Sequence, residues 1–166
     1  MIILAKKKIQ KTNAIRFLEQ KKIPFEISEY EWDDQHMSAK HTASELGIDE
    51  VKIFKTLVTV GNQTGPIVAI VPGNRELDLK KIAKASGNKK VEMLPSKELE
   101  PLTGYIHGGC SPVGMKKKFP TFIAKEALDL DTIHVSGGKR GLQLRIDPKV
   151  LIDVVGIEVV DLATEE

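Results

Sequence analysis

The sequence predicts an α+β fold: a single domain built on a mixed, mostly antiparallel sheet with short helices flanking it. Strand-like and helix-like runs alternate along the 166 residues. In the middle of the chain, strand-like runs follow one another across short turns, as hairpins do. No internal repeat, low-complexity tract or linker breaks the alternation, so the domain is expected to span 1–166, a length that buries a substantial core.

The elements follow in order. Thr12-Asn13 offers an N-cap for a helix carrying Ile15, Phe17 and Leu18, stopped near Ile23-Pro24. Phe25 to Tyr30 alternates apolar and polar residues, the signature of a half-buried strand, and Glu31 to His36 reads as a loop. Ser38 or Thr42 caps a short helix through Leu46, with Gly47 as its C-terminal stop. Val51 to Val60 has the β-branched and aromatic content of a strand with apolar residues on both faces. Asn62 to Gly65 turns it into a second strand, Pro66 to Val71. A helix is expected from Asp78 to Gly87, a short strand at Val91 to Leu94, and another short helix after Pro95-Ser96. Gly104 to Gly114 is a glycine-rich loop, and Thr121 to Ala124 is a strand. Ile133 to Ser136 and Leu142 to Arg145 flank a second glycine-rich turn, Gly137 to Gly141. Pro148 starts a last helix through Val154, and Ile157 to Val160 is the final strand.

Composition narrows the class. The net charge of +2 is too small to announce a nucleic-acid binder, although Lys6-Lys7-Lys8, Lys21-Lys22 and Lys116-Lys117-Lys118 are local basic clusters. One cysteine, Cys110, excludes an intrachain disulfide and fits a reducing compartment. Met1 to Ala5 is too short for a signal-peptide core and no apolar run approaches a membrane span. A cytoplasmic protein without a membrane partner is expected.

Lys55 stands in the middle of the apolar strand. An ammonium there must snorkel, find an anion or lose its proton. It either guards an edge strand against pairing or faces a ligand, and charged groups in apolar strands tend to mark sites. Metal binding has little support. His36 and His41 are five apart, off the spacing of a helical ligand pair, and His107-x-x-Cys110 has no second pair at zinc spacing. Cys110 and His107 share a glycine loop, so a thiol nucleophile is one reading and a packed hydrophobe the other. Ser111 and Ser136 lack a nucleophile elbow, and Asp33, Asp34 and Asp78 cannot be paired from sequence. The two glycine loops match no P-loop, yet their backbone N–H groups can converge on an oxyanion or phosphate. With Lys55 they point to a small anionic or carbonyl-bearing ligand. The Lys116–Lys118 run beside the first loop is either solvated surface or a contact for a nucleic-acid backbone. Trp32 and Tyr30 either stack on a base or pack.

Three segments resemble the YbaK/EbsC family: Val51 to Val58 its Val-x-x-Phe-Lys-Thr-Leu-Val signature, Gly104 to Gly114 its Gly-Tyr-x-x-Gly-Gly-Cys-Ser-Pro-x-Gly loop, and Val135 to Leu142 its Val-Ser-x-Gly-Lys-Arg-Gly-Leu turn. Order and spacing agree from about Thr12 to Ala163. The resemblance implies the barrel-like fold of the editing domain of bacterial prolyl-tRNA synthetases. It implies a trans-editing deacylase that hydrolyses mischarged Cys-tRNA(Pro), with no cofactor and no metal. A synthetase pocket separates cysteine from proline weakly, so a second site removes the error. No protein side chain serves as nucleophile in this family; the cysteinyl thiol attacks its own ester carbonyl while the protein orients it and stabilises charge.

By resemblance, Lys55 would hold the terminal adenosine and its phosphate or the ester oxygens, with Thr56 placing the same end. Gly108 and Gly109 would aim backbone donors at the carbonyl. Ser136, Gly137 and Gly138 would line the opposite wall and Tyr30 would cover the aminoacyl end. Ser111, Pro112, Arg140 and Gln143 complete the implied substrate-binding set, and Cys110 becomes a structural loop residue. Gln143 stands where some relatives carry an acid, so a neutral amide meets the substrate ammonium there. Trp32 to Lys40 departs from the family pattern. The implied partners are the acceptor end of tRNA and prolyl-tRNA synthetase. The alternatives are a deacylase for Ala-tRNA(Pro) or another mischarged tRNA, a Cys110-dependent enzyme, and a non-catalytic module binding tRNA or a synthetase.

Overall fold

In the computed structural model, which describes residues 11–33, 35 and 38–165, the strands form two sheets that meet at one bridge. Lys6-Lys7-Lys8, Asp34 and His36 lie outside the described residues. The N-terminal helix α1 (Asn13–Gln20) starts where expected: the Thr12 hydroxyl accepts the Ile15 N–H, and Ala14, Ile15 and Leu18 are buried on one face. Strand β1 (Glu26–Glu29) follows, then α2 (Ala39–Leu46), capped by Ser38 and stopped by Gly47 at φ 68°.

The central hairpin is β2 (Phe54–Gly61) and β3 (Gly65–Pro72), in register from Phe54↔Pro72 to Gly61↔Gly65. The expected strand began at Val51. It begins three residues later, because the Asp49 carboxylate accepts the Val51 N–H and closes a 3-10 turn over Glu50–Lys52. Alternation then sorts the hairpin into two apolar faces. Phe54 and Val58 join Val68 and Ile70 in the main core, with α1, whereas Leu57 packs with Ile67, Ala69 and Val71 in a second cluster under α3 (Leu79–Ser86). The strand is covered on both sides, as its composition suggests.

Strand β4 (Val91–Met93) and helix α4 (Leu99–Thr103) lead into the Gly104–Gly114 loop. Strand β5 (Thr121–Ala124) lies parallel to β3, and β8 (Glu158–Val160) parallel to β5, giving the order β4-β2-β3-β5-β8. Strands β6 (Ile133–Ser136) and β7 (Leu142–Ile146) form the second hairpin. With β1 they make an antiparallel sheet ordered β1-β7-β6. Helix α5 (Pro148–Val155) has Asp147 as its cap and Pro148 at its first turn. The fold is therefore α+β with a mixed, mostly antiparallel sheet system. Ile53 bridges in parallel to His134 of β6, joining the two sheets, and no closed barrel forms among the described strands. No helix among the described residues is long and apolar enough to cross a membrane.

Two buried polar groups bear on stability. Asn88, 8% exposed, clamps the central hairpin turn. Its Oδ1 accepts the N–H groups of Gln63 (2.7 Å) and Thr64 (3.0 Å), and its Nδ2 donates to Thr64 Oγ1 (3.1 Å) and Ser86 Oγ (2.7 Å). Asn88→Ala removes these four part-buried hydrogen bonds and is expected to lower stability by about 2–3 kcal/mol, read as a shift of the urea midpoint with unchanged m.

His134 sits at the joint between the sheets, 6% exposed, with Nδ1 unpartnered. Burial, then the charges of Arg145 and Lys52, pushes its pKa down to about 4. An unfolded histidine titrates near 6.5, so between these values the unfolded chain binds a proton that the fold refuses. Stability should fall as pH drops from about 6.5 toward 5, by roughly 1–2 kcal/mol. His134→Gln should flatten that part of a stability–pH curve; an equally steep curve in the variant would assign the dependence to other groups.

Candidate functional site

A cavity of about 350 Å³ opens beside β2, lined by five successive residues, Ile53 to Leu57. It lies where β2 lacks a neighbour on one side. That edge is bridged to β6 at Ile53 and paired with β4 at Thr59 to Gly61, with nothing paired between. The Val58 carbonyl accepts the Leu94 N–H (3.0 Å) and so faces the β4 side. Carbonyl direction alternates along a strand, which turns the Thr56 peptide groups toward the cleft.

Six of the residues singled out from sequence meet on this wall: Tyr30, Lys55, Thr56, Gly108, Ser136 and Gln143. Lys55 shares a face with Leu57, but at the strand's open end its side chain keeps 30% exposure. Its Nζ lies 3.7 Å from Glu76 Oε1, a loose pairing that an anionic ligand can replace. β4 pairs with β2 only at Thr59 to Gly61, so Lys55 stands on an open stretch of edge, and there it lines the cleft. Thr56 Oγ1 and Gln143 Oε1 are buried and meet no protein hydrogen-bond partner. Each such orphan costs on the order of 1–3 kcal/mol, and both belong to cleft residues. Ser136 and Gln143 are cross-strand neighbours on β6 and β7.

The other six stand elsewhere, each for a packing reason. Gly109 is buried between the two glycine loops: a Cβ there would come within 2.9 Å of the Lys139 backbone. Its N–H is taken by the Ile106 carbonyl (2.9 Å), which leaves Gly108 as the pair's member on the cleft. Ser111 is fully buried, its Oγ facing the Val113 N–H. Pro112 lines a separate groove. Gly137 donates to the Leu142 carbonyl and accepts from the Thr12 hydroxyl (2.5 Å), so its backbone is used in the fold. Gly138, at φ 105°, abuts Thr12. Arg140 places its guanidinium over the Trp32 ring at 5.2 Å and donates from Nε to the His107 carbonyl (2.8 Å), tying the second turn to the first loop.

The cleft also holds residues the sequence did not single out as binding, including Ser38, Ala39, Thr42, Gly73, Glu76 and His107. Ser38 was legible as a cap, but its place comes from docking. Gly73 lets α2 approach so closely that a Cβ would sit 2.3 Å from that of Ala39. The N-terminus of α2 thereby faces the cleft with its positive dipole end. His41, set aside as a metal ligand on its spacing, bonds through Nε2 to the Glu31 carbonyl at 2.8 Å. Among the described residues no three His, Cys, Asp or Glu side chains converge.

Cys110 is on the wall but is chemically muted. It is 7% exposed, and burial pushes its pKa up to about 12, a rise only partly offset by a hydrogen bond from Thr103. The thiolate is the reactive form, so little exists at neutral pH.

Lys55, the first residues of α2 and two residues with unpartnered side-chain oxygens line one cleft, an arrangement whose chemistry suits an anionic or carbonyl-bearing ligand. Comparison with known proteins narrows this. The sequence profile of the aminoacyl-tRNA editing domain family matches residues 33–154, and the chain belongs to that family. It is 56% identical over 164 residues to an Enterococcus faecalis protein, EbsC, named as a candidate Cys-tRNA(Pro)/Cys-tRNA(Cys) deacylase, covering 98% of this chain and 100% of that one. It is 33% identical over 107 residues to the proline–tRNA ligase of Maridesulfovibrio salexigens, covering 61% of this chain and 18% of the ligase. A crystal structure described as a candidate trans-editing enzyme for prolyl-tRNA synthetase superposes with a TM-score of 0.83 at 27% identity, covering 95% of this chain and all of that one.

If Cys110 is held protonated, alkylation of the native protein by iodoacetamide at pH 8 should run at least 100-fold slower than that of a free thiol and accelerate on unfolding. Rapid native labelling would restore Cys110 as a nucleophile.

Proposed function

We propose that the chain is a trans-editing deacylase that removes cysteine from mischarged tRNA(Pro) in the cytoplasm. The carrying observation is that Lys55, Thr56 and Gln143 line the cleft, the latter two with buried side-chain oxygens that meet no protein partner, while its one thiol is muted. A substrate that brings its own nucleophile suits such a site, and cysteine does. The name of the Enterococcus faecalis relative supports the same choice.

In the proposed reaction the cysteinyl thiol, losing its proton, attacks the ester carbonyl. The carbon–oxygen bond to the terminal ribose breaks, the ribose oxygen takes a proton, and a cyclic thioester leaves. Lys55 holds the ester oxygens or the adjacent phosphate, where charge develops. Thr56 fixes the same end, and the Gly108 backbone approaches the carbonyl. Ser136 and Gln143 line the far wall, with the Gln143 amide oxygen as acceptor for the α-ammonium, and Tyr30 covers the aminoacyl end. Gly109, Gly137, Gly138, Ser111 and Arg140 act behind this wall, holding the loops in place. The acceptor end of the tRNA enters the cleft, and prolyl-tRNA synthetase is the partner that would deliver it.

The test is ester loss from cysteinyl-, alanyl- and prolyl-tRNA(Pro). Selective loss of the cysteinyl ester is expected, with Lys55→Ala lowering kcat/KM by roughly 10²–10³ and Cys110→Ala staying within about 3-fold of the parent. Preference for the alanyl ester would sink substrate assistance, since alanine has no thiol. Abolition by Cys110→Ala would establish the thiol enzyme instead, and no hydrolysis with the synthetase added would leave a binding module.

A further inference from the structure

A second concavity, of about 300 Å³, is lined by the end of the Gly104–Gly114 loop at Pro112, Val113 and Gly114. Its floor is apolar, with Phe17, Met115, Phe119 and Val155, and its rim carries Lys21, Lys116, Lys117 and Lys118. All four lysines are exposed, and no carboxylate lines the groove. Among the described residues none of the four forms an ion pair, in contrast to Lys11, Lys81 and Lys90, which each meet an acid within 3.1 Å. Lys116 reaches only the Pro101 carbonyl (3.4 Å), and Lys21 lies over the Phe17 ring (5.7 Å). Charge of one sign therefore collects here on a chain whose net charge is only +2.

Groove and cleft lie close together along the chain. Cys110 lines the cleft and Pro112 the groove, a separation of at most about 7 Å of chain. We propose that this groove is a second nucleic-acid contact, taking the sugar–phosphate backbone of the same tRNA whose 3′ end enters the cleft; the tRNA identity rests on the function proposed above. The ammonium groups neutralise phosphates, and the apolar floor accommodates ribose and the lysine stems. Backbone contact carries no sequence information, so the groove adds affinity for any tRNA and leaves selection to the cleft.

The full chain and the variant Lys116→Glu/Lys117→Glu/Lys118→Glu are compared for binding of uncharged tRNA at several salt concentrations, with Lys84→Glu/Lys89→Glu/Lys90→Glu, exposed lysines outside groove and cleft, as a charge-matched control. Each lost phosphate contact flattens the log–log salt dependence by roughly 0.7–0.9, so a decrease of about 2 is expected for the groove variant and none for the control. Replacing the three lysines with Gln should give the same flattening, which a fold defect from charge reversal would not. On cysteinyl-tRNA(Pro), KM should rise at least 10-fold with kcat within 2-fold, while cleavage of a short cysteinyl oligonucleotide lacking a stem is unchanged. An unaltered salt slope overturns the proposal. So does an effect seen only with prolyl-tRNA synthetase present, which would make the groove a protein-docking site. Binding of uncharged tRNA reads the groove even where no ester is cleaved, so the two readings fail separately.

Discussion

The gap in pairing along one edge of β2 is the constraint on which the site depends. Towards β3 the strand is paired throughout; on the other side it is held only near its two ends, by His134 and by β4. A continuous neighbour there would bury Lys55 to Leu57 under hydrogen-bonded backbone and leave no room for a ligand. An open stretch of edge is normally a hazard, because it invites pairing with another chain. Here it is recessed between Tyr30, α2 and the Gly104–Gly114 loop, which cover it without filling its hydrogen-bonding capacity. The two orphaned side-chain oxygens make the same point, since buried polar groups are ordinarily satisfied.

Glycine contributes here mostly through packing. Gly109 and Gly138 lack a Cβ because the first loop, the second turn and the start of α1 converge, and Tyr105 fixes the first loop by donating to the Val113 carbonyl at 2.6 Å. Arg140 and the Thr12 hydroxyl add cross-ties between the same segments. Within this group, Gly108 alone of the glycines reaches the cleft. The loops are thus a rigid mounting for a few exposed positions, the condition under which oriented groups lower a barrier.

Helices and strands were legible because caps and periodicity are local: Thr12, Ser38 and Asp78 begin helices, and Gly47, Gly87 and Gly156 end them. The start of β2 was missed because an Asp cap at Asp49 competes with strand propensity over the next residues. The parallel placement of β5 and β8 and the pairing of β1 with β7 are long-range and leave no local mark. The cleft divides the same way. Lys55 stood out as a charge in an apolar strand, whereas Gln143 came to notice only through the family resemblance, where some relatives carry an acid. Ser38, Ala39 and Glu76 entered only through the docking of α2 and the turn after β3. A glycine's sequence does not say whether the missing Cβ admits a ligand or a neighbouring loop, which is why Gly108 and Gly109 read alike and differ in place.

Under the proposed function this division of labour solves a selectivity problem that size cannot. A pocket that admits cysteine discriminates poorly against proline, since differences of a methylene or two are worth only about 1–3 kcal/mol. A site that stabilises charge but provides no nucleophile spares every ester whose amino acid lacks one of its own. The prolyl ester then survives because its side chain cannot attack, even where it binds. Cys110 fits this logic, because an ionised thiol on the wall would offer every bound ester an attacking group, and burial keeps it protonated. The muted cysteine and the partly exposed Lys55 on the cleft wall then follow from one requirement: the cleft must assist an attack without making one.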